Sequence, residues 1–327
     1  MNLGRRSFLG LSAAAGVVGC VGVETPANGF DDNLTVFVTD IHVGGLPENS
    51  PNPKRRLEGF VDEVLAMRPR PKRVVSLGDL AYLRGLPEDY AASKPALKRL
   101  EEAGIELVFC MGNHDRRSAF NEAWPGHFAH SPVPGKFVRV VSLGTADLVV
   151  LDGLQGADDR PRTENGPVPG ILHADVWDWC RKELPRLKRP FFVCSHFPVG
   201  DLKLPAKKKK PDAKPTTLGM WLIAHAPMCK GYIHGHDHRW RPEWTKANYA
   251  TAKTLRTLCL PSNGLWGDIG YAIFRTSADR AVCTLEIRDF FFPREPETSL
   301  RPAAWQIKIE ENRGQKVTFL YDRGEPK

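Results

Sequence analysis

Apolar residues along this chain come in short runs of two kinds, and the two kinds alternate. Leu34 to Thr39, Arg73 to Leu77, Glu106 to Met111, Phe137 to Leu143, Leu148 to Leu151, Phe191 to Cys194 and Gly231 to His234 are brief β-rich runs. Between them, Arg55 to Met67 places Leu57, Phe60, Val61, Val64 and Leu65 on one helical face. Lys94 to Ala103 is a second helical stretch and stops at Gly104, a natural C-cap. Ala174 to Leu184 and Thr217 to Ala226 repeat the helical spacing. From Thr254 onward the pattern turns to strands, at 254–260, 270–276, 281–288, 303–309 and 316–321. Alternating strand and helix predicts an α/β architecture with a largely parallel sheet flanked by helices. The late strands predict a second sheet or an antiparallel extension.

The strand ends carry the same kinds of side chain again and again. They are Asp40 and His42, then Asp79, then Asn113, His114 and Asp115, then His196, then His236 and His238. Open α/β sheets bind ligands at the carboxyl ends of their strands. Five strand ends therefore bring carboxylate, imidazole and amide groups to one edge. Hard oxygen and borderline nitrogen donors without thiolate suit divalent or trivalent transition metals. Six or seven donors exceed the need of one ion, and a carboxylate such as Asp79 can bridge two. A single Asp after a strand is most often a turn or N-cap residue, and a lone His near a core is most often structural. Those readings do not account for the ordered set.

In this order the blocks resemble the calcineurin-like metallophosphoesterase superfamily. Its pattern is Asp-x-His, Gly-Asp, Gly-Asn-His-Asp/Glu, a lone His and Gly-His-x-His. The chain has Asp40-Ile41-His42, Gly78-Asp79, Gly112-Asn113-His114-Asp115, Ser195-His196 and Gly235-His236-Asp237-His238. The resemblance implies a four-layer αββα sandwich of two mixed sheets flanked by helices. It also implies a dinuclear-metal phosphoesterase acting on a small-molecule phosphate ester. Carried over residue by residue, Asp40, His42 and His238 hold the first ion. Asn113, His196 and His236 hold the second, and Asp79 bridges them. Mn, Fe and Zn all accept such donors, and the identity stays open. Water shared by the ions loses a proton and attacks phosphorus in line. His114 faces the phosphoryl group and stabilises or protonates the leaving oxygen, with Asp115 holding the imidazole.

Within the superfamily, Gly112 to Phe120 and Gly170 to Leu184 are similar to class III cyclic-nucleotide phosphodiesterases. A phosphodiesterase is therefore expected, with a phosphomonoesterase or nucleotidase as the alternative. The rival from another class is a non-catalytic, membrane-tethered binding protein on the same fold. Such proteins usually lack a ligand, and this chain has the full set. Tyr82 follows Asp79 by three, as in the Gly-Asp-x-x-Tyr block of purple acid phosphatases. Those enzymes have Gly where this chain has His42, so Tyr82 is expected to pack or gate rather than ligate.

Composition adds little to this, but the N-terminus and the charge add more. The 327 residues are 42% hydrophobic and 26% charged, the balance of a folded chain. Arg5-Arg6 precede a short apolar stretch from Phe8 to Gly19, and no acid occurs before Glu24. That resembles a twin-arginine export signal. Val17-Val18-Gly19-Cys20 resembles a lipoprotein cleavage box, with cleavage without lipid as the alternative. The expected layout is a signal over 1–19, a tether over 20–32, a metallophosphoesterase domain over 33–290 and a C-terminal β extension over 291–327. The expected location is the periplasm or cell envelope, anchored to the membrane through lipidated Cys20.

Two of the cations behind the formal charge of +8 lie in residues 1–19, which leaves +6 beyond them. Lys203, Lys207 to Lys210 and Lys214 gather much of that excess in one Pro-bounded loop. It reads as a solvated loop, as a positive lid over the metal site, or as a contact for anionic lipid. No recognition helix or aromatic platform accompanies the lysines, so a nucleic-acid partner is not expected. Cys110 and Cys194 read as buried small hydrophobes. Cys20 is the odd cysteine of seven, and pairing among the other six is left open. Trp266 is read as lining the pocket or packing in the core, and His234 as a neighbour of the ligands.

Overall fold

Two six-stranded sheets stack face to face, and helices cover the outer side of each. The computed structural model describes residues 29–44, 53–154, 170–202, 204–205, 217–246, 254–265, 267–286 and 313–322. The signal, Cys20, most of the tether, the lysine cluster at 203, 207–210 and 214, Trp266 and the strand expected at 303–309 lie outside the described residues.

The first sheet has the order β12-β11-β10-β1-β2-β3, formed by Lys316–Leu320, Arg280–Glu286, Tyr271–Thr276, Phe30–Val38, Arg70–Ser76 and Glu106–Phe109. Strands β1, β2 and β3 run parallel, while β10, β11 and β12 extend the sheet antiparallel. The second sheet has the order β4-β5-β6-β7-β9-β8, formed by Arg139–Ser142, Asp147–Val150, Phe191–Cys194, Cys229–His234, Thr254–Cys259 and Arg241–Lys246. Its central strands β5, β6, β7 and β9 are parallel and its edges antiparallel. Both sheets are mixed, as the four-layer sandwich requires.

Side-chain alternation explains the layers. Along β1, Val36 and Val38 face helices α1 (Pro53–Ala66) and α2 (Pro87–Glu102), where Leu57, Phe60, Val64, Leu97 and Leu100 meet them. Phe37, between those two valines, faces the other sheet and packs with Val75, Leu148, Phe192 and Ile233. On the far side, Val149, Phe191, Val193 and Tyr232 pack on α4 (Ala174–Glu183) and α5 (Leu218–His225) through Val176, Trp177, Leu218 and Leu222. Three apolar layers thus separate four structural ones. Strands covered on both faces read as continuous apolar runs.

Two elements depart from the sequence expectation. Helix α2 starts at Pro87 rather than Lys94, because Pro95 in its interior masks the first two turns. Its start is fixed by the Asp89 carboxylate, which accepts the Leu86 N–H at 3.0 Å. Strand β8 was not anticipated at all. It carries Pro242 and sits at the sheet edge, where a missing N–H is tolerated.

Short helix α3 (Arg117–Ala123) follows the Asn113-His114-Asp115 loop and is anchored across the sheets. Arg117 lays Nε and Nη2 on the Asp152 carboxylate, at 2.8 Å each. Asp152 also accepts the backbone N–H groups of Phe137 and Leu154, both at 3.0 Å. Both members of the pair are buried.

Candidate metal centre

Every residue expected at the site arrives at the same end of the two sheets. Strand β1 delivers Asp40 and His42, β2 delivers Asp79, and β3 delivers Asn113 to Asp115. Strand β6 delivers His196, and β7 delivers His236 and His238. The chain turns abruptly there. The non-glycine residues with positive φ among the described residues are Asp40 (53°), His42 (52°), Asp79 (52°), His236 (72°) and His238 (55°). All five belong to the expected ligand set. Left-handed backbone at such residues costs about 1–3 kcal/mol each and clusters at functional sites.

The donors form two groups around one oxygen. In the first, Asp40 Oδ1 lies 2.9 Å from His238 Nε2 and 3.8 Å from His42 Nε2, and the two imidazole nitrogens are 3.3 Å apart. In the second, His196 Nε2 lies 3.1 Å from Asn113 Oδ1 and 3.2 Å from His236 Nδ1. Asp79 Oδ2 is 3.2 Å from His196 Nε2, 4.0 Å from His42 Nε2 and 3.7 Å from His114 Nε2. The other oxygen, Oδ1, accepts the His114 backbone N–H at 2.7 Å. One carboxylate oxygen therefore stands between the two donor groups.

The chemistry of these contacts asks for cations. His196 Nδ1 faces the Leu77 carbonyl at 2.9 Å, so that nitrogen donates. Once a cation displaces its second proton, His196 would turn a lone pair at Nε2 toward Asn113 Oδ1, Asp79 Oδ2 and His236 Nδ1, three acceptor-capable atoms. His42 repeats the arrangement, with Nδ1 donating to the Tyr82 carbonyl at 3.2 Å and Nε2 turned toward His238 and Asp40. Asp40 Oδ1 is buried and receives no well-directed hydrogen bond, although His238 Nε2 lies beside it. Converging lone pairs are costly without a positive ion and favourable around one. The residues present fit a two-ion centre.

Titration behaviour agrees. Burial pushes the His42 imidazole down to about 3, against the pull of Asp79, so it is neutral and ready to donate. Burial would also lower His196, but Asp79 and Asp40 outweigh it and push its pKa up to about 9. Burial alone would raise the Asp40 carboxyl, yet His238 and His196 hold it below the ordinary carboxylate range. Two buried carboxylates thus keep a positive charge among themselves even as a proton.

Asp115 departs from its expected role. Its carboxylate accepts the N–H groups of Asp79 (2.8 Å), Gly112 (2.9 Å) and Ala81 (3.2 Å), and the Tyr90 hydroxyl at 3.2 Å. The His114 imidazole is held instead by the Leu83 carbonyl, 3.1 Å from Nδ1. Asp115 ties the Asp79 loop to the Asn113 loop. Tyr90 completes the clamp by accepting the Arg116 N–H at 2.8 Å.

The main parts the sequence did not disclose are supports. Consecutive carbonyls of Tyr82 and Leu83 orient His42 and His114, and Leu77 orients His196. A carbonyl is common to every residue, so no residue type marks it. Tyr82 contributes its backbone to the site, and its side chain is half-buried. Cys110 and Cys194 are buried and unpaired, and burial raises both thiols far from reactivity. His234 is buried, with Nδ1 2.9 Å from the Gly235 carbonyl.

The chain thus joins a two-sheet αββα sandwich to paired oxygen–nitrogen donor sets that flank one carboxylate. The family model for calcineurin-like phosphoesterases matches residues 34–240, and the chain belongs to that family. A protein of Rhodococcus erythropolis named "probable cyclic nucleotide phosphodiesterase" is 28% identical over 160 residues, covering 46% of this chain and 47% of the relative. The chain thus matches about half the length of that curated relative. A dimetal phosphatase from Danio rerio shares the fold with a TM-score of 0.57 at 15% identity, over 88% of this chain and 98% of that one. PhoD shares it with a TM-score of 0.51 at 12% identity, over 78% and 65%.

Proposed function

We propose that the protein is a dinuclear-metal phosphodiesterase of small-molecule phosphate esters. The observation that carries this reading is Asp79 Oδ2, standing between two donor sets with His114 Nε2 3.7 Å away. Asp40, His42 and His238 would hold one ion, Asn113, His196 and His236 the other, and Asp79 would contribute to both. Bound metal supplies charge for the phosphoryl oxygens and a water acidic enough to attack near neutral pH. The remaining work belongs to the chain. The Leu77 and Tyr82 carbonyls fix the His196 and His42 rings, so the donor atoms would hold their ions without reorganising. His114, its Nδ1 donating to the Leu83 carbonyl, carries at Nε2 the proton that the leaving oxygen takes. Among the ligand set and His114, only His236 and His114 are partly exposed, so substrate enters on that side.

The similarity of Gly112 to Phe120 to class III cyclic-nucleotide phosphodiesterases and the name of the Rhodococcus relative support the diester. The test is a panel on the Mn-loaded protein: bis(p-nitrophenyl) phosphate, p-nitrophenyl phosphate, 3′,5′-cyclic AMP and AMP. Diesters are expected to turn over at least about tenfold faster than monoesters, a difference of about 1.4 kcal/mol in transition-state binding. Faster monoester turnover would replace the diesterase with a phosphatase.

The N-terminal Arg5-Arg6 and Cys20 support export by the twin-arginine route and lipid anchoring at the envelope. The six described cysteines are buried and form no disulfide among the described residues, which suits a chain that folds in a reducing compartment before export. Full-length protein expressed in a bacterium is expected in the membrane fraction, and Cys20→Ala in the soluble one. Equal distribution of the two would sink the anchor. Among the described residues no helix is long and apolar enough to cross a membrane.

A further inference from the structure

The turn between β9 and β10, from Ser262 to Asp268, touches both sides of the first donor set. Asp40 sits at the end of β1 in the first sheet, and His238 sits beyond β7 in the second. Both hold left-handed backbone, with φ of 53° and 55°. Such conformations persist only where the surroundings over-determine them.

The turn supplies those surroundings. The Gly264 N–H donates to the Asp40 carbonyl at 3.0 Å, and the Ser262 hydroxyl reaches the same oxygen at 2.8 Å. The Asn263 N–H donates to the Thr39 carbonyl at 2.9 Å. At the other end, the Asp268 N–H donates to the His238 carbonyl at 2.9 Å, and its carboxylate accepts the Trp240 N–H at 2.8 Å. Contact is so close that a Cβ at Gly264 would run into the Ile41 carbonyl, and one at Gly267 into the His238 carbonyl. Ser262 also pins the turn to itself, accepting the N–H groups of Gly264 and Leu265 at 3.2 Å each.

The second donor set is treated differently. Among the described residues the turn makes no hydrogen bond to Asn113, His196 or His236. Those residues are held from elsewhere, His196 by the Leu77 carbonyl and the Asn113 loop by Asp115. Besides the shared Asp79, the His236 N–H joins the sets by donating to Asp40 Oδ2 at 3.1 Å.

We propose that the Ser262–Asp268 turn is a positioning element that sets the affinity of the first ion and leaves that of the second nearly unchanged. The inference rests on the ligand assignment above. It concerns described residues, Ser262 to Leu265 with Gly267 and Asp268, that lie more than 220 positions from Asp40 and belong to neither donor set.

Calorimetric titration of the metal-depleted full chain with Mn²⁺ tests it. The wild-type chain is expected to show two binding events. His238→Ala and His236→Ala, each keeping one event, assign them. Ser262→Ala leaves Gly264 N–H on the Asp40 carbonyl, and Gly267→Ala presses directly on His238. Both variants are expected to weaken the His238-dependent event by about 10–100-fold, the range for outer partners of a metal ligand, and to move the other by less than about threefold. Circular dichroism checks that each variant is folded, and Ser262→Ala alone decides if Gly267→Ala is not. Equal weakening of both events, or of neither, in a folded variant overturns the proposal. A wild-type chain that binds fewer than two ions overturns instead the ligand assignment.

Discussion

Replacing His114 with Ala is expected to leave two metal ions bound and to lower turnover of a phosphodiester by about 10²–10⁴-fold, the range for loss of a positioned general acid. The loss should depend on the leaving group. An alkyl ester, whose alkoxide needs the proton, should lose more than a nitrophenyl ester, whose phenolate leaves without one. This gradient separates proton transfer from a structural role, which would slow both esters alike. The geometry also contains the competing role. His114 Nε2, His42 and Asp79 lie close enough together to hold an ion themselves. Metal analysis of the variant decides, because a ligand takes its ion with it and an acid does not. Loss of an ion from His114→Ala would reassign the residue.

The largest effect on stability is expected at Arg117, remote from any ligand role. Arg117→Leu leaves the Asp152 carboxylate buried without its cation, and breaking such a pair costs about 3–5 kcal/mol. Denaturant unfolding should show it as a lower midpoint at pH 7. The pH dependence follows from the carboxyl. Burial pushes Asp152 up, but the bidentate Arg117 outweighs it and holds the pKa below the ordinary value. A depressed folded-state pKa contributes stability above the unfolded value near 3.9 and loses it as pH falls through the folded one. The difference between wild type and Arg117→Leu should therefore be full at neutral pH and shrink below about pH 4. A variant as stable as wild type at pH 7 would show that the pair makes no net contribution.

The contrast between what the residues announced and what they hid has a physical basis. Metal coordination restricts donor types, and strand ends restrict their position. Asp40, His42, Asp79, Asn113, His196, His236 and His238 are therefore visible one after another in the sequence. The layered architecture follows from the same alternation of apolar runs. Hidden features are of two sorts. Backbone carbonyls, such as those of Leu77, Tyr82 and Leu83, act through atoms that every residue has. Long-range partners, such as the turn at Ser262 under Asp40, are joined only by the fold. Asp115 shows a third limit. Its place beside His114 suggested a pair, but the carboxylate collects three backbone N–H groups, while the His114 ring rests on the Leu83 carbonyl. Local signals misled in the same way at Pro95, which sits inside α2 rather than in its first turn.

These details depend on one claim, that two ions share Asp79. Anomalous diffraction from crystals grown with excess Mn²⁺, recorded at the manganese edge, tests it most directly. Two peaks are predicted, one among Asp40, His42, Asp79 and His238 and one among Asp79, Asn113, His196 and His236. A single peak, or a pair that does not flank the Asp79 carboxylate, would contradict the account.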